Sequence, residues 1–213
     1  MALNLFGVTV NDAHTAHVHV DGIETVTVRD LAAICGPAEY RALVVDEAWV
    51  KHHSEVITAF AIRGPVLPAP AGIVFRSPEA VTRWLELHSG ALSEALTFVE
   101  NRVAARVHIS RAEMPEVKAA GERRDARSAE ASDIDAVAAE SLRILRGAAV
   151  ATLPLRADRS TGVVLTAAFL VEHHLWDQFA AEVDAQAKRA IGVTFSLTGP
   201  WPPYDFVQMQ LGS

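Results

Sequence analysis

Hydrophobic and polar positions alternate with a period of two or recur at helical spacing along most of the chain. Leu3 to Val10 predicts a strand, with Leu3, Leu5, Val8 and Val10 as its inward candidates. Val18 to Val20 reads as a short strand, turned by Asp21-Gly22. Val26 to Ile34 is strand-like at its start and leads into Cys35. From Asp46 to Ala61, Trp49, Val50, His53, Val56, Ile57 and Phe60 recur at helical spacing, which predicts a helix with one apolar face. Val66 to Phe75 is extended, but Pro65, Pro68 and Pro70 break it, so it belongs at a sheet edge. Ser77-Pro78-Glu79 then opens a helix: a capping hydroxyl, a proline at the first helical position and an acid in the first turn. Its apolar stripe is Val81, Trp84, Leu85, Leu92, Ala95, Leu96 and Val99.

Val103 to Ile109 reads as the last strand of this first unit. A composition break follows. Between residues 113 and 130 charged side chains crowd together with almost no large apolar residue, and Pro115 and Gly121 interrupt the run. Beyond it, Asp133 to Arg146 predicts a helix with Ile134, Val137, Ala138, Leu142 and Leu145 on one face, capped by Ser132 or Asp133. Gly162 to Val171 is nearly all apolar, as in a strand covered on both faces. Leu175 to Ala190 is an amphipathic helix, and Val193, Phe195 and Leu197 alternate with Thr194, Ser196 and Thr198 in a final strand. The expected fold class is α+β, with two small α/β-layer domains. The first, 1–112, is expected to be ferredoxin-like; 113–130 is a charged linker; 131–213 is a second α+β domain with a leading helix and a βαβ unit.

Half of the 213 residues are hydrophobic, ample for packed cores, and the net charge is −7. That balance argues against a general nucleic-acid binder, which needs clustered Lys and Arg. The longest apolar runs fall far short of the roughly 20 residues that span a bilayer, so no membrane partner is expected. Met1-Ala2-Leu3-Asn4 lacks the basic and apolar segments of a signal peptide. With one cysteine, Cys35, the chain reads as soluble and cytoplasmic.

Signatures of catalysis are missing from the sequence. It has no phosphate-cradling Gly-x-x-x-x-Gly-Lys, no Gly-x-Gly-x-x-Gly after a strand and no Gly-x-Ser-x-Gly elbow. Cys35, at the end of an apolar strand, reads as a buried small hydrophobe. His52 and Glu55 share a helix face, and His173-His174 follow a strand, but neither pair has a third ligand fixed by local spacing. Adjacent His52 and His53 point about 100° apart on a helix, so one belongs on the polar face and the other at the edge of the core. Asp46, Glu47 and Asp177 lie at helix starts, where the helix N-terminus explains them. The expectation is no enzyme activity, no metal and no cofactor.

The most distinctive segment is Thr198-Gly199-Pro200-Trp201-Pro202-Pro203-Tyr204-Asp205-Phe206-Val207. Its three prolines remove three backbone donors and fix three φ angles, and they push the residues before them toward extended backbone. A strand therefore runs into a stiff aromatic exit. Pro200 and Pro203 formally match a polyproline ligand, but the segment continues a regular strand and has Asp205 beside it. Two roles remain open for Trp201: folding back onto its own domain, or facing a partner.

This segment resembles the C-terminal signature of the gas vesicle protein F/L family. Ala168-Phe169-Leu170-Val171 is similar to the family's Ala-aromatic-Leu-Val strand, and Pro65-Val66-Leu67-Pro68 with Gly72-Ile73-Val74-Phe75 resembles another family strand. Pro70-Ala71 stand where the family usually has Arg-Phe. The resemblance implies a non-enzymatic, gas vesicle-associated accessory protein in gas vesicle formation. Its implied partners are the small hydrophobic shell protein and other accessory proteins, and the process served is buoyancy. The candidate partner-binding residues are Pro200, Trp201, Pro202, Pro203 and Tyr204. The competing reading is a small-molecule-binding or regulatory α+β module.

Overall fold

The computed structural model describes residues 1–40, 45–112, 123–157 and 162–207. It is an α+β chain that divides into two compact units. One comprises Met1–Asn101 together with the segment from Pro202 onward; the other is Arg102–Trp201. The first unit contains β1 (Ala2–Val10), β2 (Glu24–Val28), β3 (Leu31–Ala38), α1 (Glu47–Ala61), β4 (Val66–Pro68), β5 (Val74–Phe75) and α2 (Pro78–Val99). Its sheet runs β2-β3-β1-β4, with β5 sharing the β4 side of β1, and every pairing is antiparallel.

This sheet is covered on both faces. Leu3, Leu5, Leu31, Ala33 and Cys35 meet Val81, Trp84, Leu85, Leu92, Leu96 and Val99 of α2. On the other face Phe6, Ile34 and Val66 meet Val56, Ile57 and Phe60 of α1. β1 is accordingly buried from Ala2 to Thr9, which accounts for its weak alternation in sequence. The pairing of β1 with β3 shifts register between Leu5 and Gly7, a bulge that leaves Phe6 as the extra residue. Both helix starts follow the capping logic: Asp46 accepts from the Trp49 amide at 2.8 Å, and Ser77 from the Ala80 amide at 3.4 Å.

Two expectations for this unit change. Val18 to Val20 is not a strand; a 3-10 turn, Thr15–His17, precedes it. Val26 to Ile34 is not one strand but a hairpin, β2 to β3, turned at Arg29-Asp30 with Arg29 at φ 52°. Asn11 holds that turn, its side chain donating to the Arg29 carbonyl at 2.9 Å and its amide to the Asp30 carbonyl at 2.8 Å.

The second unit contains β6 (Arg102–Arg111), α3 (Arg123–Arg146), β7 (Ala151–Leu155), β8 (Val163–Glu172), α4 (Trp176–Arg189) and β9 (Val193–Trp201). Its sheet order is β7-β8-β6-β9, antiparallel throughout. Strand, helix, strand, strand, helix, strand in this spatial order is the ferredoxin-like arrangement. That order was expected of the first unit, which instead sets three strands before its first helix. The difference lies in β6. Val103 to Ile109 is not the last strand of the first unit, because it pairs with β8 and β9 and so opens the second. The expected boundary at 112 thus moves to 101, and the second unit stops at Trp201 rather than 213. Of the expected linker 113–130, residues 113–122 lie outside the described residues, and α3 begins at Arg123 rather than at a Ser132 or Asp133 cap. Ala105, Val107, Ile109, Ala167, Phe169 and Val171 form the strand side of this unit's core, against Ala138, Leu145, Phe179 and Val183 of the helices. Phe169 and Phe179 meet at 5.2 Å between ring centroids.

Candidate functional site

The tail begins as β9 and ends in a 3-10 turn, Tyr204–Phe206. Gly199 is the pivot. Its φ is +131°, and a Cβ there would lie 2.8 Å from the Ala104 carbonyl oxygen and 2.8 Å from Cη2 of Trp176. The indole of Trp176, at the start of α4, therefore closes directly over the glycine, and only a residue without a side chain fits. The Gly199-Pro200 peptide is cis. β9 ends at Trp201, opposite Ala104 of β6.

The five candidate residues of the tail divide by burial. Pro200 is exposed and Trp201 is 48% exposed, so its indole offers a large apolar surface. Pro202 is half-buried and Pro203 buried. Tyr204 is half-buried, and its amide donates to the Pro202 carbonyl at 2.7 Å, closing the turn. From Pro202 the chain belongs to the first unit. There Tyr204 joins the α1-side cluster and Val207 the α2-side cluster, so residues three apart fasten onto both.

Tyr204 is seated on an aromatic group. Its ring lies 6.3 Å from that of His53. His53 in turn lies 4.8 Å from Trp49 and 5.6 Å from Phe6, and His52 meets Phe6 edge-on at 5.5 Å. His53 is buried and its Nε2 has no hydrogen-bond partner. Burial holds its pKa below the ordinary histidine value, outweighing backbone hydrogen bonds to Ala69 and Phe6 that act the other way; His52 adds to the depression. The seat is thus a neutral, apolar surface. Burial pushes the Tyr204 phenol above its usual pKa, and a side-chain hydrogen bond to Ser54 opposes this.

The other candidate groups lie elsewhere. His52 is exposed while His53 is packed, the division their helical spacing predicts. His173 and His174 are exposed in the 3-10 turn before α4. The Cys35 thiol is buried and pushed up to about 12, first by burial and then by Glu24. Among the described residues no three His, Cys, Asp or Glu side chains gather as a metal site. In the second unit a cleft of about 280 Å³ is lined by Gly147 to Val150, Glu172, Leu175, Gln178 and Phe179. Its one carboxylate, Glu172, is paired with Arg102 at 3.1 Å. No helix among the described residues is long and apolar enough to cross a membrane.

Sequence reasoning missed Trp176 and the seat beneath Tyr204. The signal available for Trp176 was a tryptophan at a helix start beside a strand ending in Gly-Pro. For the seat it was the run of Trp49, His52 and His53 on the first turns of one helix.

Comparison with known proteins agrees with this architecture. The chain is 27% identical over 215 residues to gas vesicle protein F2 of Halobacterium salinarum, covering 96% of this chain and 91% of that one. Its fold is that of the crystal structure of gas vesicle protein GvpF from Anabaena sp. PCC7120, with a TM-score of 0.80 at 16% identity, covering 98% and 97% of the two chains. GvpF from Microcystis aeruginosa gives 0.72 at 14% identity, over 98% and 99%. The family described as gas vesicle synthesis protein GvpL/GvpF matches residues 3–208. The chain is therefore a member of the GvpL/GvpF family of gas vesicle synthesis proteins.

Proposed function

We propose that this protein is a non-enzymatic accessory protein that binds the small hydrophobic shell protein during gas vesicle assembly, in the cytoplasm and at the vesicle. Other accessory proteins are further partners. The contact surface is Pro200 and Trp201, and Pro202, Pro203 and Tyr204 hold that surface in place. The observation that carries this reading is the contrast within the tail: Tyr204 is fastened on the His53 seat, while Trp201 leaves half of an indole in solvent. A shell subunit that faces gas must display apolar surface before it assembles. A preformed aromatic patch can cover such surface with little ordering cost, because the prolines have already restricted the backbone. Trp is also among the side chains enriched at the energetic centres of contacts.

The test is co-expression of the chain with a tagged shell protein, followed by capture. Trp201→Ala is expected to reduce capture at least tenfold while changing the melting temperature little, since the indole is already half solvated. Unchanged capture by Trp201→Ala would remove this surface from the proposal. Failure of the unmodified chain to be captured would remove the shell protein as a partner.

A further inference from the structure

Sheet edges expose unpaired backbone groups, and folded chains blunt them with charge, proline or brevity. Three edges here are blunted. β2 carries Glu24 and runs into Arg29-Asp30. β4 is three residues long and ends in Pro68, and β5 is two residues long. β7 is five residues long and contains Pro154. The edge formed by β9 is different. From Val193 to Thr198 it runs six residues with no charged side chain and no proline, before a register shift and Pro200 end the regular ladder. Among the described residues β9 pairs only with β6. Thr194 and Ser196 are exposed, while Phe195 and Leu197 pack partly into the unit's core.

The segment Thr194-Phe195-Ser196-Leu197-Thr198 reads the same in both directions as polar, apolar, polar, apolar, polar. We propose that β9 pairs antiparallel with β9 of a second copy of this chain, about a two-fold axis at Ser196, to make one continuous eight-stranded sheet. In that register Thr194 faces Thr198 of the second copy, and Phe195 faces Leu197. Each apolar pair lies on the helix side of both sheets, because residues directly opposite in an antiparallel pair point to the same face. A second copy is favoured over an unrelated strand because this two-fold register follows from self-pairing.

This inference goes beyond shell-protein binding and does not depend on it. The two readings rest on different residues, and the decisive variants leave the tail untouched. The full chain is expected to sediment as a dimer at high concentration and to dissociate on dilution. Ser196→Lys, which sets two like charges across the axis, is expected to give a monomer with an unchanged melting temperature. Ser196→Cys should form an intermolecular disulfide on mild oxidation, since residues facing across an antiparallel pair lie about 4.5–5.5 Å apart at Cα, within disulfide reach. Thr194→Cys alone should not, whereas a mixture of Thr194→Cys and Thr198→Cys should. A chain that stays monomeric, or a dimer that survives Ser196→Lys and gives no Ser196→Cys disulfide, overturns the proposal. If β9 amides are protected from hydrogen exchange only when the shell protein is present, the edge takes that partner's strand and self-pairing is overturned. Shell-protein capture by Ser196→Lys is expected to be retained, which separates the two readings.

Discussion

Replacing Gly199 with alanine tests whether the β9 exit is fixed by the indole above it. Two costs arise at this position. The backbone sits at φ +131°, where an L side chain is strained, at about 1–3 kcal/mol. The added methyl would also lie 2.8 Å from both the Ala104 carbonyl oxygen and Trp176 Cη2. Either the strand or the indole must then shift, and overpacking of this kind costs about 1–3 kcal/mol. The sum, about 2–6 kcal/mol, is a large part of the stability of a small domain. Gly162 supplies the internal control: its φ is +79°, yet nothing lies within 4 Å of the position its Cβ would take. Gly162→Ala should therefore carry only backbone strain, about 1–2 kcal/mol. Urea unfolding followed by tryptophan fluorescence measures both, with Trp176 and Trp201 as local reporters. If Gly199→Ala is no more destabilising than Gly162→Ala, the indole does not clamp the exit and the reasoning fails.

Other expectations follow from the tail and its seat. The depressed pKa of His53 means that the unfolded chain binds a proton there before the folded chain does. Its contribution to stability is therefore complete above about pH 6.5 and declines as pH falls through the lower folded value; His53→Gln should flatten that part of a melting-temperature profile, and an identical profile would refute the assignment. Tyr204→Ala should cost about 2–4 kcal/mol, somewhat under a fully buried aromatic, whereas Tyr204→Phe, which loses only the hydrogen bond to Ser54, should cost about 0.5–1.5 kcal/mol; equal losses in chemical denaturation would show that the ring's packing is not what matters. The Cys35 thiol, buried with its pKa near 12, should resist alkylation in native protein at pH 8 and react once urea unfolds the chain. Rapid native labelling would show the strand around it to be open.

How far the sequence could be read depended on whether a signal was local. The starts of α1 and α2 were legible because Asp46 and Ser77 act within one turn of themselves. β8 was legible because its apolar run is long enough to be buried on both faces. The β2–β3 hairpin was not, because Arg29 takes a left-handed conformation usually marked by glycine or asparagine, and the support comes from distant Asn11. β7 is short, contains Pro154 and carries little alternation. Domain assignment failed at β6 for a related reason: a strand's pattern shows that it pairs, not with which sheet. In the tail, the prolines announced rigidity, but the difference between Trp201 and Tyr204 arises only when Tyr204 reaches His53, far away in sequence. Sequence periodicity cannot register that contact.

The division of the first unit into 1–101 and the segment beginning at Pro202 bears on how the protein is made. Translation is vectorial, so β1 through α2 leave the ribosome long before Tyr204 and Val207 exist. At about 5–20 residues per second, the intervening second unit, residues 102–201, delays them by about 5–20 s. Throughout that interval the His53 seat and the α2-side cluster lack their last side chains. The second unit, whose residues are contiguous, can finish folding while the first still waits. A nascent chain stalled anywhere before Tyr204 therefore presents a sticky, incomplete first unit to its surroundings. The order of maturation inverts the order of synthesis: the half that is translated first is the half completed last.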